Sequence, residues 1–157
     1  MSGALVALAI LSGCGNEVTI REYRAPTRAD VDNQVTQYSS RVFDALEVKA
    51  MTGMNEGRIP RDCSASEGKI YGVDHFWQVD DLQSTEIGPA VTRLHDYLKA
   101  GGWDIGRYET PPTVPSPVLS ATNPRDGYVI WVKGIEDQKR VAVQVASPCV
   151  TVASDRP

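Results

Sequence analysis

The feature that most constrains this chain is an apolar run of eight residues near its start, ALVALAIL at positions 4–11. As a helix, such a run spans about 12 Å, whereas the hydrocarbon core of a bilayer is roughly 30 Å thick. The run is therefore too short to hold a protein in a membrane as a stable span. Its length is typical of the apolar region of a secretory signal peptide, which is removed from the mature protein.

The apolar run ends in Leu11-Ser12-Gly13-Cys14. This motif resembles the lipobox of bacterial lipoproteins, in which a leucine and two small residues precede a cysteine. The resemblance implies diacylglycerol transfer to the Cys14 thiol, cleavage before Cys14, and often acylation of the freed amine. Two or three acyl chains give stable anchoring, at about 0.8 kcal/mol for each buried CH₂ group. We therefore expect a signal peptide over residues 1–13, a lipidated tether over 14–26, and a protein anchored to the membrane outside the cytosol.

The segment before the apolar run, Met1-Ser2-Gly3, lacks the basic residue that signal peptides carry. We expect a start codon further upstream that supplies one. The alternative interpretation of the whole segment is a buried N-terminal strand or helix with an ordinary core cysteine.

Charge and composition exclude several classes of function. Sixteen Lys and Arg residues against 20 Asp and Glu give a formal charge of -4. A mildly acidic chain is a poor binder of nucleic acid, because phosphate contacts need a basic surface. Only two histidines are present, and no phosphate loop, nucleophile elbow, zinc motif or calcium loop occurs. We therefore expect no nucleic-acid partner, no cofactor and no metal.

Two further cysteines, Cys63 and Cys149, remain after Cys14 is set aside. In an oxidising compartment, an isolated pair is most simply a disulfide. The alternative is a redox or metal-binding pair, but no CxxC motif and little histidine accompany it. We expect a structural disulfide.

Two amphipathic helices are predicted. In the first helix, Thr27 is the expected cap, with Asp30 three residues further on, and Gly53 is expected to end the helix. In the second helix, Thr85 is the expected cap, and the helix is expected to stop at Gly101-Gly102. Each helix has an apolar face with residues three or four positions apart: Val31, Val35, Tyr38, Val42 and Leu46 in the first, and Ile87, Val91, Leu94 and Leu98 in the second.

Alternating apolar residues predict four strands, over residues 69–79, 103–109, 127–135 and 140–147. Residues 110–126 hold five of the ten prolines and are predicted to form an extended loop. The predicted fold is α+β, a two-layer sandwich over residues 27–152, with a mainly antiparallel sheet of about four strands and both helices on one face. The tail, residues 153–157, is expected to be frayed.

One face of the predicted sheet is a candidate binding surface. If the helices cover the valine-rich face, the opposite face presents Phe76, Trp131 and Tyr108 beside Lys133. A mixed aromatic and polar surface is typical of a binding face, and Asp74, Gln78 and Gln144 also surround it. Two alternatives stay open: the proline-rich loop covers this face, or the face pairs two copies of the chain.

His75 is the one candidate for catalysis. With Asp74 or Asp80 it could form a general base or a weak metal site, as in a small hydrolase of the cell envelope. By alternation, however, His75 shares the face of Val73 and Trp77, so a hydrogen-bonded structural histidine is the favoured interpretation.

The chain resembles small extracytoplasmic lipoproteins of actinobacteria. The features that carry the resemblance are the lipobox, the cysteine pair, the Gly101-Gly102-Trp103 sequence after a helix, and eleven arginines against five lysines. The resemblance implies no catalytic residue. We therefore expect a non-enzymatic module that binds a partner protein or an envelope ligand. A hydrolase that uses His75, and a purely structural or immunity-type protein, are the alternatives.

Overall fold

A computed structural model describes residues 25–49, 57–61, 63 and 70–153 of the protein. The predicted signal peptide, Cys14 and most of the predicted tether lie outside the described residues, as does most of the predicted tail. The elements in chain order are α1 (Arg28–Leu46), β1 (Gly57–Arg61), β2 (Ile70–Val79), α2 (Ser84–Ala100), β3 (Asp104–Glu109), β4 (Val118–Thr122), β5 (Val129–Ile135), a 3₁₀ turn (Glu136–Gln138), β6 (Arg140–Ala146) and β7 (Val150–Thr151).

The strands form an open antiparallel sheet in the order β1-β2-β6-β5-β4-β3, and β7 pairs with the beginning of β2. The predicted α+β class is confirmed. The predicted count of four strands is wrong, because the described residues alone form a sheet of seven strands. The four predicted strands correspond to β2, β3, β5 and β6.

The three additional strands lie where the sequence lacks a strand signal. β1 contains Pro60, which is tolerated because β1 pairs with β2 alone among the described strands. β4 lies inside the segment predicted as a proline-rich loop, where Pro117 and Pro124 flank the strand without entering it. β7 is only two residues long.

In the first turn of each helix, an acidic side chain accepts a hydrogen bond from the backbone N–H of the cap residue. In α1 the Thr27 N–H donates to Asp30 at 2.8 Å, and the Asp30 N–H donates to the Thr27 hydroxyl at 3.1 Å, so the predicted capping box is confirmed. In α2 the cap is Gln83, not the predicted Thr85, and its N–H donates to Glu86 at 3.1 Å.

The helix ends agree with prediction in α2 and differ in α1. α2 stops at Ala100, before Gly101-Gly102, as predicted, and Gly102 takes a φ of 77° that favours glycine. α1 stops at Leu46, well before Gly53. The side chain of Arg93 donates two hydrogen bonds to the Leu46 carbonyl, at 2.6 and 3.2 Å, and so satisfies a helix-end acceptor.

One hydrophobic cluster joins the helices to the sheet. α1 packs on β2 and β6, α2 packs on β3, β4 and β5, and the helices contact each other. All nine residues of the two predicted apolar helix faces are buried in this cluster. The strand residues of this cluster alternate along each strand with less buried residues, as Val73, Trp77 and Val79 do in β2.

Cys63 and Cys149 lie at disulfide distance, with 2.07 Å between the sulfur atoms and 5.9 Å between the Cα atoms. The bridge connects the segment after β1 to the segment between β6 and β7. It crosses directly over Gly72 of β2, where a Cβ atom would lie 2.9 Å from the Cys63 sulfur. Glycine is therefore the residue that the close approach permits.

Candidate binding face

Five residues form a row across the middle of the sheet. Reading from β2 to β3, each residue is the direct register partner of the next: Phe76, Gln144, Trp131, Ser120 and Arg107. Directly opposed residues of antiparallel strands point to the same face. We call this set the central row, and the sheet face that it occupies the open face.

Exposed apolar side chains are concentrated on the open face. Phe76 is 40% exposed and Trp131 is 44% exposed. Ile59 of β1, which is 56% exposed, pairs with Asp74 two residues before Phe76 and so points the same way. Among the described residues, the remaining exposed large apolar side chain is Tyr97 of α2. Three such residues on one face mark a surface suited to binding.

A shallow groove of about 410 Å³ follows the central row, and Lys133 lines it two residues beyond Trp131. Arg107 is fixed at the far end by two hydrogen bonds to the Glu109 carboxylate, at 2.8 and 2.9 Å. The hydrogen bonds from Arg107 lower the pKa of Glu109. The ammonium group of Lys133 has no carboxylate within ion-pairing distance in the part of the chain that the structure describes.

Tyr108 lies apart from the other three predicted ligand-binding residues, so its predicted place on the open face is wrong. Its hydroxyl lies 2.9 Å from Thr92 of α2, and its ring stacks on His95 at 3.9 Å. The reason is a bulge in β3, where Gly106 has no register partner. One extra residue shifts the alternation, so Tyr108 points to the helix side with its partner Leu119.

Ile59, Ser120 and Arg107 also lie on the open face and are not among the residues that the sequence predicts for it. Ile59 and Ser120 belong to β1 and β4, two strands that the sequence does not predict. Arg107 follows the bulge in β3, and strict alternation along that strand would put it on the opposite face. A glycine inside the short β3 pattern is the sequence signal that could have indicated the bulge.

His75 is buried on the core face of β2, as predicted, with 3% exposure. Its Nδ1 atom lies 2.7 Å from the Ser39 hydroxyl of α1. The two predicted catalytic partners are engaged elsewhere: Asp74 lies 3.8 Å from Arg61, and Asp80 lies 3.1 Å from Arg140. Asp74 also points to the opposite face of β2, because adjacent strand residues alternate.

A second cavity, of about 190 Å³, lies beside α1 and is lined in part by Ser39, Asp44, His75 and Trp77. The indole N–H of Trp77 is buried without an acceptor among the described residues. In that same part of the chain, no three His, Cys, Asp or Glu side chains are grouped to hold a metal ion. Nor does any helix there have the length and apolar character needed to cross a membrane.

No protein-family model matches this chain, and neither a curated protein nor a solved structure matches it.

Proposed function

We propose that this protein is an extracytoplasmic lipoprotein, anchored through acyl chains on Cys14, whose folded domain is a non-enzymatic binding module. Its binding surface is the open face, and its partner is a protein or ligand of the cell envelope. The observation that carries the proposal is the central row, in which Phe76 and Trp131 are both about two-fifths exposed while the core residues beside them are buried.

The proposal takes both helices to cover one face of the sheet, as in a two-layer sandwich. The support is the alternation along β2, in which Val73, His75 and Trp77 are buried and Phe76 is exposed. Trp131 alternates in the same way between buried Ile130 and Val132 of β5. Aromatic side chains on the uncovered face are then available to a partner.

The anchor is supported by the lipobox resemblance and by the position of Cys63 and Cys149 at disulfide distance, which suits an oxidising compartment. The test is mass spectrometry of the protein from its native host. We expect an acylated Cys14 at the N-terminus of the mature chain, and release of a Cys14→Ala variant from the membrane fraction. An unmodified Cys14 that still follows the apolar leader would contradict the anchor.

The binding face is tested by sedimentation of the mature domain without its lipidated cysteine, residues 15–157, with washed cell-envelope material from the native host. We expect the wild-type domain to sediment and Trp131→Ala to remain in solution. Tyr97→Ala is the matched control, because Tyr97 is 45% exposed but lies on α2. Equal sedimentation of Trp131→Ala and the wild type would refute the role of the open face.

The hydrolase alternative has less support. The two carboxylates that His75 would need lie beside Arg61 and Arg140, at 3.8 and 3.1 Å, and Asp74 points to the opposite face of β2. The His75 side chain is 3% exposed, and its Nδ1 atom lies 2.7 Å from the Ser39 hydroxyl.

A further inference from the structure

We propose that the open face binds an extended glycan of β-linked pyranose rings, which lies along the central row. This inference rests on the proposed function, because it names the class of ligand for the same face. Phe76 and Trp131 are the stacking platforms, and the polar residues of the row contact the sugar hydroxyls.

The spacing of the two aromatic residues carries the argument. Both are direct register partners of Gln144, on its two sides. Neighbouring strands lie about 4.8 Å apart, so Phe76 and Trp131 are separated by about 10 Å. A ring in an extended β-linked glycan advances the chain by nearly the same distance as one strand advances a sheet. Rings i and i+2 of the glycan would therefore lie over the two aromatic side chains, with ring i+1 over Gln144.

The alternation of chemistry along the row also fits a sugar chain. Aromatic and hydrogen-bonding side chains follow one another, with Gln144 between Phe76 and Trp131, and Ser120 beyond Trp131. A pyranose ring presents an apolar C–H face for stacking and a rim of equatorial hydroxyls for hydrogen bonds. A protein partner would instead need a contiguous apolar centre surrounded by a polar rim.

The two cations extend the same pattern. Lys133 supplies N–H donors beside Trp131. Arg107 is held in place by Glu109 and ends the row. Both side chains can donate to ring hydroxyls or to carboxylates that a glycan carries.

The test uses the mature domain with the tetramer and the dimer of β-1,4-linked N-acetylglucosamine, followed by NMR of the indole N–H signals. The protein has three tryptophans, and Trp77 is only 3% exposed, so its signal is an internal control. We expect the Trp131 signal to shift with the tetramer while the Trp77 signal stays in place. Because the dimer cannot reach both platforms, we expect the tetramer to bind at least about tenfold more tightly.

Variants and a second sugar sharpen the result. Phe76→Ala and Trp131→Ala should each lower tetramer affinity about tenfold, as expected for stacking residues that dominate a site, whereas Tyr97→Ala should leave it unchanged. The α-1,4-linked glucose tetramer, whose chain curves, should bind more weakly than the β-linked tetramer.

Three results would overturn the inference: no Trp131 shift at millimolar tetramer, equal affinity for dimer and tetramer, or no preference for the β-linked chain. Circular dichroism of each variant is the control for a retained fold. If the glycan assays fail but envelope sedimentation still depends on Trp131, the glycan inference is wrong and the binding face stands. If sedimentation does not depend on Trp131, the proposed function of the open face is wrong, and the glycan inference that rests on it is wrong as well.

Discussion

The Nδ1 atom of His75 lies 2.7 Å from the hydroxyl oxygen of Ser39, and both side chains are buried. This contact joins β2 to α1 through the core. His75 is the histidine that the sequence suggests as a catalytic candidate, and this contact gives it a structural role instead.

Replacing Ser39 by Ala should therefore destabilise the domain. The change removes a hydrogen-bond partner of a buried imidazole, at a cost of about 1–3 kcal/mol in the free energy of unfolding. Ser40→Ala is the control, because Ser40 is exposed on the same helix; it should change the free energy by less than about 0.5 kcal/mol. Urea unfolding measures both variants. Equal stability of the two would mean that the Ser39 contact contributes little.

The bridge between Cys63 and Cys149 should contribute a large part of the stability. It closes a loop with a sequence separation of 86 residues. In the chain-entropy account, such a loop corresponds to about 4–5 kcal/mol. The double variant Cys63→Ser, Cys149→Ser should unfold at a much lower urea concentration. Thiol titration of the unfolded, unreduced wild type should find neither cysteine reactive, and two reactive thiols per mature chain would contradict the bridge.

Gly134 of β5 should not accept a larger side chain. A Cβ atom there would lie 2.4 Å from the Ile87 side chain of α2 and 2.6 Å from Pro117. Gly134→Ala should therefore lower the free energy of unfolding by about 1–3 kcal/mol through overpacking.

Gly88, inside α2, is the matched control for Gly134. Apart from its chain neighbours and the backbone of its own helix, a Cβ atom at Gly88 would have no atom within 4 Å. Gly88 precedes Pro89, whose ring crowds the Cβ atom of a preceding helical residue. This crowding opposes the gain in backbone entropy that alanine brings to a helix, so Gly88→Ala should change the free energy of unfolding by less than Gly134→Ala does. An undisturbed Gly134→Ala variant, or equal destabilisation by the two substitutions, would contradict the close packing at Gly134.

Two tyrosines should make the fold sensitive to alkaline pH. The pKa of Tyr71 is raised to about 12, chiefly by burial and secondly by the hydrogen bond to Asp32. The pKa of Tyr128 is also raised to about 12, chiefly by burial and secondly by the negative charge of Asp126. An unfolded tyrosine has a pKa of about 10. The folded state therefore favours the neutral phenols, and their stabilisation is complete below about pH 10 and is lost as the pH rises towards 12.

Unfolding free energies measured between pH 9 and 12 test this dependence. The wild type should lose stability across this range, and Tyr71→Phe should lose less, because phenylalanine does not ionise. Identical slopes for the two proteins would contradict the raised pKa of Tyr71.

The helices and the central strands could be predicted from sequence because their signals are local. The capping pair Thr27 and Asp30 marks the start of α1, and the glycine pair Gly101-Gly102 marks the end of α2. The alternating valines of β6 indicate a half-buried strand, and these residues are buried as expected. The positions of Phe76, Trp131 and Lys133 on one face follow from the same period of two.

The edges of the sheet could not be predicted, because there the pairing partner decides the structure. Pro60 is acceptable only because β1 lies at an edge, and the edge position depends on pairing with a strand elsewhere in the chain. β4 gains its hydrogen bonds from β3 and β5 on both sides, although prolines flank it. The bulge at Gly106 changes the facing of Tyr108 without changing the residue pattern before it. The local sequence therefore does not fix β1 or β4, and Gly106 permits the bulge without requiring it.

The position of β6 between β2 and β5 has a consequence for biogenesis. β6 comes late in the chain, so one edge of the ten-residue strand β2 stays unpaired until β6 is available. Contacts between such distant segments form slowly, and an unpaired strand edge invites aggregation. If the protein is exported as an unfolded chain, N-terminus first, the sheet cannot form completely until translocation is nearly finished. The chain therefore stays unfolded, and competent for translocation, throughout its export.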